Sequence, residues 1–137
     1  MKPQKQLFFF VILLLGILAG VYYFQKPSDH NESIQNGLQL AAKKQKIVFV
    51  KVGESWCPPC VEMEKLLSSS PRLKELLKSF IFVKTGLNNP ELKPLQISAI
   101  PFLIFYAPDG KEIARNIGFL QEKDMVAFLE KVLKERQ

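Results

Sequence analysis

The hydrophobic pattern changes character sharply along this chain. Leu7 to Phe24 (LFFFVILLLGILAGVYYF) runs for 18 residues without a charge. As a helix it would extend about 27 Å, close to the roughly 30 Å hydrocarbon core of a bilayer. The polar stretch 25–31 (QKPSDHN), with Pro27 inside it, reads as a linker. From there the pattern alternates between helical and strand periods. Ile34, Leu38, Ala41 and Ala42 recur at helical spacing and predict an amphipathic helix over 33–45. The segment 47–52 (IVFVKV) is β-branched and aromatic, as a buried strand should be, and 53–56 is the loop leaving it. Val61, Met63, Leu66 and Leu67 predict a helix that starts at a Cys-Pro-Pro-Cys motif. Its prolines, Pro58 and Pro59, fall in the first turn, where proline costs no hydrogen bond. Residues 68–70 and Pro71 interrupt that helix, and Leu73, Leu76 and Leu77 give one more helical piece. A second strand is expected over 80–85, then a loop over 86–98 with one helical turn near Leu92. A third strand is expected over 101–106 (PFLIFY), with a hairpin turn at 107–110 (APDG) and a return strand over 111–117 ended by Gly118. The last element is a helix over 121–134 with Met125, Phe128, Leu129 and Val132 on one face.

This order predicts an α/β domain. A strand–helix–strand unit pairs in parallel with its helix on one face, and the hairpin adds antiparallel strands. The expected architecture is a mixed four-stranded sheet with helices on both faces, preceded by one N-terminal transmembrane helix. The domain organisation expected is a membrane anchor or signal sequence over 1–24, a linker over 25–32 and a single domain over 33–137. About 110 residues outside the apolar run suffice for one core.

Charge adds direction. Lys2 and Lys5 precede the apolar run with no acid, while Lys26, Asp29 and Glu32 follow it. The positive side stays in the cytoplasm, so the domain should face outward, into the periplasm or exterior in a bacterium. An uncleaved anchor fits the length, with Tyr22 and Tyr23 at the interface. A cleaved signal sequence would have a shorter apolar core and small residues before the cut, and Ile17 and Leu18 fit that poorly. Both readings export the domain. The net charge is +6 overall, and three of those units flank the apolar run. The mild excess that remains does not point to nucleic acid. Lys43, Lys44 and Lys46 read as a solvated helix end.

Two cysteines, Cys57 and Cys60, and one histidine, His30, narrow the chemistry. A four-ligand zinc site cannot be built within one chain from so few ligands, and no histidine follows Cys60 as a c-type haem site would need. At a helix start, residues three apart share a face at about 5–6 Å, the Cα separation a disulfide requires. Cys57 would sit at the N-cap or first turn, where the helix dipole and free N–H groups favour a thiolate. It is therefore expected to be the exposed nucleophile, with Cys60, one turn inside, as the more buried resolving thiol. Disulfide exchange follows: Cys57 forms a mixed disulfide with a partner and Cys60 displaces the partner. A structural disulfide is the bland alternative, though a loop this small constrains the unfolded chain little. A metal shared between two chains is the other.

With Trp56-Cys57-Pro58-Pro59-Cys60 after a buried strand, and Ile100-Pro101 ahead of an apolar strand, the sequence resembles the thioredoxin superfamily over roughly 46–133. It is also similar to the C-terminal thioredoxin-like domain of the DsbD family and to small exported relatives. That similarity rests on the acidic helix start Val61-Glu62-Met63-Glu64-Lys65, the Ser70-Pro71 break, the 107–110 turn and Gly118-Phe119. The resemblance implies a thioredoxin-like fold and a thiol–disulfide oxidoreductase with no cofactor beyond its own disulfide. It implies that Pro101 follows a cis peptide bond and that Ile100 offers backbone hydrogen bonds to a bound partner, with Trp56 as a packing cover for the cysteine pair and part of the substrate-binding surface. It also implies cysteine-containing exported proteins as partners and a membrane electron donor of the DsbD type, with reducing equivalents moving outward. An oxidase, or a non-enzymatic adaptor that binds extended peptides, are the alternatives. One departure stands out: where thioredoxins carry a buried acid six residues before the first cysteine, this chain has Lys51. Glu54 is the candidate to take over proton transfer.

Overall fold

In the computed structural model, residues 6, 10–18 and 32–135 are described. Residues 10–18 are helical and exposed. Among the described residues no helix is long and apolar enough to cross a membrane. The expected anchor over 1–24 lies largely outside the described residues, and so does the linker with His30.

Helix α1 (Ile34–Lys44) opens on Ser33, whose Oγ accepts a hydrogen bond from the Asn36 N–H, and closes on Gln45 in the left-handed region at φ 52°. Strand β1 (Ile47–Val52) is buried at all six positions. That pattern belongs to a central strand covered on both faces, where alternation of apolar and polar residues has no purpose. Strand β2 (Phe80–Thr85) pairs with β1 in parallel, in the register Ile47 to Phe80 and Lys51 to Lys84. Strand β3 (Phe102–Tyr106) pairs antiparallel with β1, and β4 (Glu112–Ile117) antiparallel with β3, giving the order β2-β1-β3-β4. The expected hairpin is present at 107–110. Gly110 sits at φ +86°, its N–H bonds the Ala107 carbonyl at 2.9 Å, and Asp109 Oδ1 accepts from the Lys111 N–H.

Each face of the sheet has its own core. On one lie α2 (Pro58–Ser69), α3 (Pro71–Leu77) and α4 (Glu122–Lys134), which pack Met63, Leu67, Leu73, Met125 and Leu129 onto Ile47, Phe49 and Phe105. Phe49 stacks on Phe105 at 4.5 Å between ring centroids and touches Phe82 at 4.9 Å. On the other face α1 and a 3₁₀ segment (Pro90–Leu95) cover Val48, Val50, Phe102 and Ile104. Gly37 permits α1 to approach closely, since a Cβ there would lie 2.7 Å from Val83 Cγ2.

The elements follow the periodicity with small corrections. Pro101 precedes β3 rather than starting it, Gln121 is the cap of α4, and the single turn expected near Leu92 is a six-residue 3₁₀ segment. Asn89 explains the last: its Oδ1 accepts from the Glu91 N–H and its Nδ2 donates to Thr85 Oγ1, so the segment begins on a satisfied cap. Ser70 explains the break between α2 and α3. Its Oγ accepts from the Leu73 N–H and donates to Glu122 Oε1, which ties α3 to α4. In the expected solvated cluster, Lys43 and Lys44 are exposed, whereas Lys46 Nζ donates to the Lys78 carbonyl at 2.7 Å.

Glu91 joins the start of α1 to the 3₁₀ segment. Its carboxylate accepts from Ser33 Oγ at 2.9 Å and from the Ile34 N–H at 2.6 Å, an anion at a helix N-terminus. Glu91→Ala is expected to cost about 1 kcal/mol, the usual loss for a helix cap. Thermal denaturation followed by circular dichroism should show a Tm lowered by roughly 5 °C.

Candidate active site

After β1 the chain turns through Gly53 and enters α2 at the cysteine motif. Cys57 is the N-cap of α2, in extended backbone conformation at φ −94° and ψ 107°, and Pro58 and Pro59 fill the first helical positions. The Cys57 carbonyl accepts from the N–H groups of Cys60 and Val61 at 3.0 and 3.1 Å. Cys60 is thereby held one turn inside, on the same face. The two sulfurs are joined in a disulfide, with Cα atoms 5.2 Å apart.

The expected exposure of Cys57 needs correcting. Cys57 is only 5% exposed and Cys60 2%. The physical reason is the loop before β3, which lies against the helix start. The Ile100 carbonyl oxygen is 4.0 Å from Cys57 Sγ, and the Ile100–Pro101 peptide is cis. The far end of that loop is held by the Gly118 N–H, which bonds the Pro101 carbonyl at 2.8 Å. Cys60 packs beneath Gly53, where a Cβ would stand 3.1 Å from Cys60 Cβ. Trp56 does not cover the pair; it is 70% exposed and adds to an apolar surface around the motif with Val61.

Behind Cys60 lies an open cavity of roughly 680 Å³, lined among others by Lys51, Glu54, Glu64 and Lys84. Lys51 is buried on the same face of β1 as Ile47 and Phe49, and its register partner on β2 is Lys84. Two cations side by side on one face repel. Glu64, from α2, resolves this. Its Oε2 accepts from Lys51 Nζ at 2.6 Å and its Oε1 from Lys84 Nζ at 3.0 Å. Partial burial pushes the Glu64 carboxyl up, but the hydrogen bonds and charges of Lys51 and Lys84 outweigh it and hold the group below its ordinary 4.5. Glu54 has a different bond: its Oε1 accepts from the Leu87 N–H at 2.7 Å, which pins the loop after β2.

The Lys51–Glu64–Lys84 constellation is what reasoning from sequence missed. Glu64 stands four residues after Cys60, one helical turn away on the same face, and that spacing was the available signal. The pairing of Lys51 with Lys84 depends on strand register. A depressed carboxyl contributes stability above its unfolded pKa that is lost as pH falls through its folded pKa. Urea unfolding at pH 7 and pH 3 should therefore show acid destabilisation, and Glu64→Gln should narrow the gap between the two values.

Among the described residues no group of three or more His, Cys, Asp or Glu is placed to hold a metal. Comparison with known proteins decides the family. The family model for a thioredoxin-like domain matches residues 34–133. This chain belongs to the thioredoxin-like family. It is 31% identical over 98 residues to the thiol:disulfide interchange protein DsbD of Pectobacterium atrosepticum, and 32% identical over 98 residues to that of Salmonella typhi. Each match takes in 66% of this chain but 17% of the DsbD relative, so the chain spans under a fifth of those proteins. In structure the thioredoxin-like chain is similar to a thioredoxin from Thermus thermophilus, at a TM-score of 0.69 and 21% identity, covering 78% of this chain and 88% of that one. It is also similar to the reduced C-terminal domain of Neisseria meningitidis DsbD, at a TM-score of 0.61 and 21% identity, covering 72% and 92%. The family match, the similarity to DsbD and the Cys57–Cys60 pair together support a thiol–disulfide oxidoreductase.

Proposed function

We propose that this thioredoxin-like chain reduces or exchanges disulfides in cysteine-containing exported proteins, cycling Cys57 and Cys60 between dithiol and disulfide. The observation that carries this reading is the placement of the pair: Cys57 caps a helix N-terminus and Cys60 waits one turn inside within bonding distance. In the reductive direction the Cys57 thiolate attacks a partner disulfide, one partner sulfur leaves as thiolate, and a Cys57–partner disulfide forms. Cys60 then attacks Cys57 Sγ, the second partner sulfur leaves, and the internal disulfide closes. Two electrons have passed to the partner. The Ile100 backbone beside Cys57 and the exposed Trp56 offer a surface for an extended partner segment. The electrons are returned by a membrane donor of the DsbD type, since the disulfide is the only redox group this reading requires. The uncharged run Leu7–Phe24, with its basic N-terminal flank, anchors the domain on the outer face of the inner membrane.

The test is the reduction potential of the purified full chain in detergent, equilibrated against glutathione or dithiothreitol buffers. A reductase should lie near about −270 mV, as thioredoxin does; a value near about −120 mV would make it an oxidant. A pair that never cycled would leave a peptide-binding adaptor.

A further inference from the structure

We propose that Lys51 is a positioning residue for Cys60, holding the resolving sulfur ready as a thiolate, and that Glu64 sets how much of the lysine's charge reaches it. This deepens the dithiol reading and rests on it. The geometry begins at Gly53. A Cβ built there would lie 3.3 Å from Cys60 Sγ and 3.9 Å from Lys51 Nζ, so the sulfur and the ammonium both border the space that the absent Gly53 side chain leaves. Lys51 is 7% exposed, and burial weakens the screening that would dull its charge at the surface. A buried lysine needs a compensating anion, and Glu64 provides one at 2.6 Å. Glu64 is shared with Lys84, so its negative charge is divided between two ammonium groups. The charged groups lining that cavity are Lys51 from β1, Glu54 from the following loop, Glu64 and Lys65 from α2, and Lys84 from β2. Three are cations and two are anions, and Glu54 is already bonded to the Leu87 N–H.

The step concerned is resolution. Cys60 loses its proton to solvent through the open cavity, and its thiolate attacks Cys57 Sγ. The Cys60–Cys57 bond forms as the Cys57–partner bond breaks, and the partner leaves as thiolate. A cation beside Cys60 favours the charged form of the sulfur by electrostatic attraction. A carboxylate at the same position could act only by taking the proton up. Lys51 therefore puts a standing electrostatic bias where a carboxylate would put a base.

Reaction of the reduced full chain with 2,2′-dithiodipyridine reads the two sulfurs separately, because Cys57 releases the first pyridinethione and Cys60 the second. Lys51→Met should slow the second release about tenfold near neutral pH and move its pH midpoint up by about one unit, with the rate recovered in alkali. Glu64→Gln, which removes the neutralising anion, should move the midpoint down. Glutamine keeps the shape of the 39% exposed Glu64 side chain, and circular dichroism matching the parent identifies a folded variant, so Glu64→Gln carries the test if the lysine variant does not fold. Opposite shifts support the proposal. An unchanged midpoint in Glu64→Gln, or a loss of the same sign in both variants, overturns it. Absence of any second release from the unmutated protein would instead sink the dithiol reading.

Discussion

Cys57→Ser is expected to abolish disulfide exchange, lowering turnover on a disulfide-bonded protein substrate about a thousandfold or more, while leaving the fold intact. The reasoning is chemical. A serine hydroxyl at the same N-cap position ionises far above the pH at which a thiol does, so the positive end of the helix dipole has no anion to stabilise there. The loss is large because nucleophile and resolving group act as a unit, and removing either disables the whole. Cys60→Ser has a different signature: the first attack proceeds, the second cannot, and the protein accumulates as a mixed disulfide visible on a non-reducing gel. Retention of activity by Cys57→Ser would remove the enzyme reading and leave the adaptor. Both cysteines are nearly buried, yet serine is nearly isosteric, so circular dichroism of either variant should match the parent reduced with dithiothreitol.

Phe49→Ala is expected to have the largest effect on stability, about 3–5 kcal/mol, the range for truncating a buried phenylalanine. Phe49 is fully buried at the centre of β1 and meets three other rings, Phe80, Phe82 and Phe105, at centroid distances of 6.0, 4.9 and 4.5 Å. The position is walled by a sheet and by helices, so the cavity collapses little and the neighbouring rings find no replacement for the missing one. Against a typical total of 5–15 kcal/mol, this leaves the domain marginal. Urea denaturation should show a lower midpoint with an unchanged slope. A loss below about 1 kcal/mol would mean that the face packed by α2, α3 and α4 is not a rigid support for the cysteine helix. That face carries the site: α2 presents Cys57 and Cys60 at one end and buries Met63 and Leu67 onto Phe49's layer along its length.

The elements were legible because their signals are local. The strand at 47–52 has no polar alternation until Lys51, the two prolines at 58 and 59 can open a helix but not continue one, and the turn at 107–110 carries the residues a hairpin needs. The cysteine spacing also carried its own meaning, because three residues along a helix start bring two sulfurs within bonding reach.

Sequence by itself thus determined the mixed α/β order, the helix opened by Cys57 and the identity of the redox pair, all consequences of interactions between near neighbours in the chain. Tertiary structure alone decided the environment of that pair. It brought the Ile100–Pro101 loop from 43 residues away onto Cys57 and buried a sulfur expected to be exposed. It placed Lys84 beside Lys51 through parallel register and set Glu64 between them. Register and burial depend on which distant segments share a sheet face, and charges gain their weight only where water is excluded. The surroundings of a cysteine pair written plainly in the sequence are therefore set by residues whose importance appears only when the sheet is assembled.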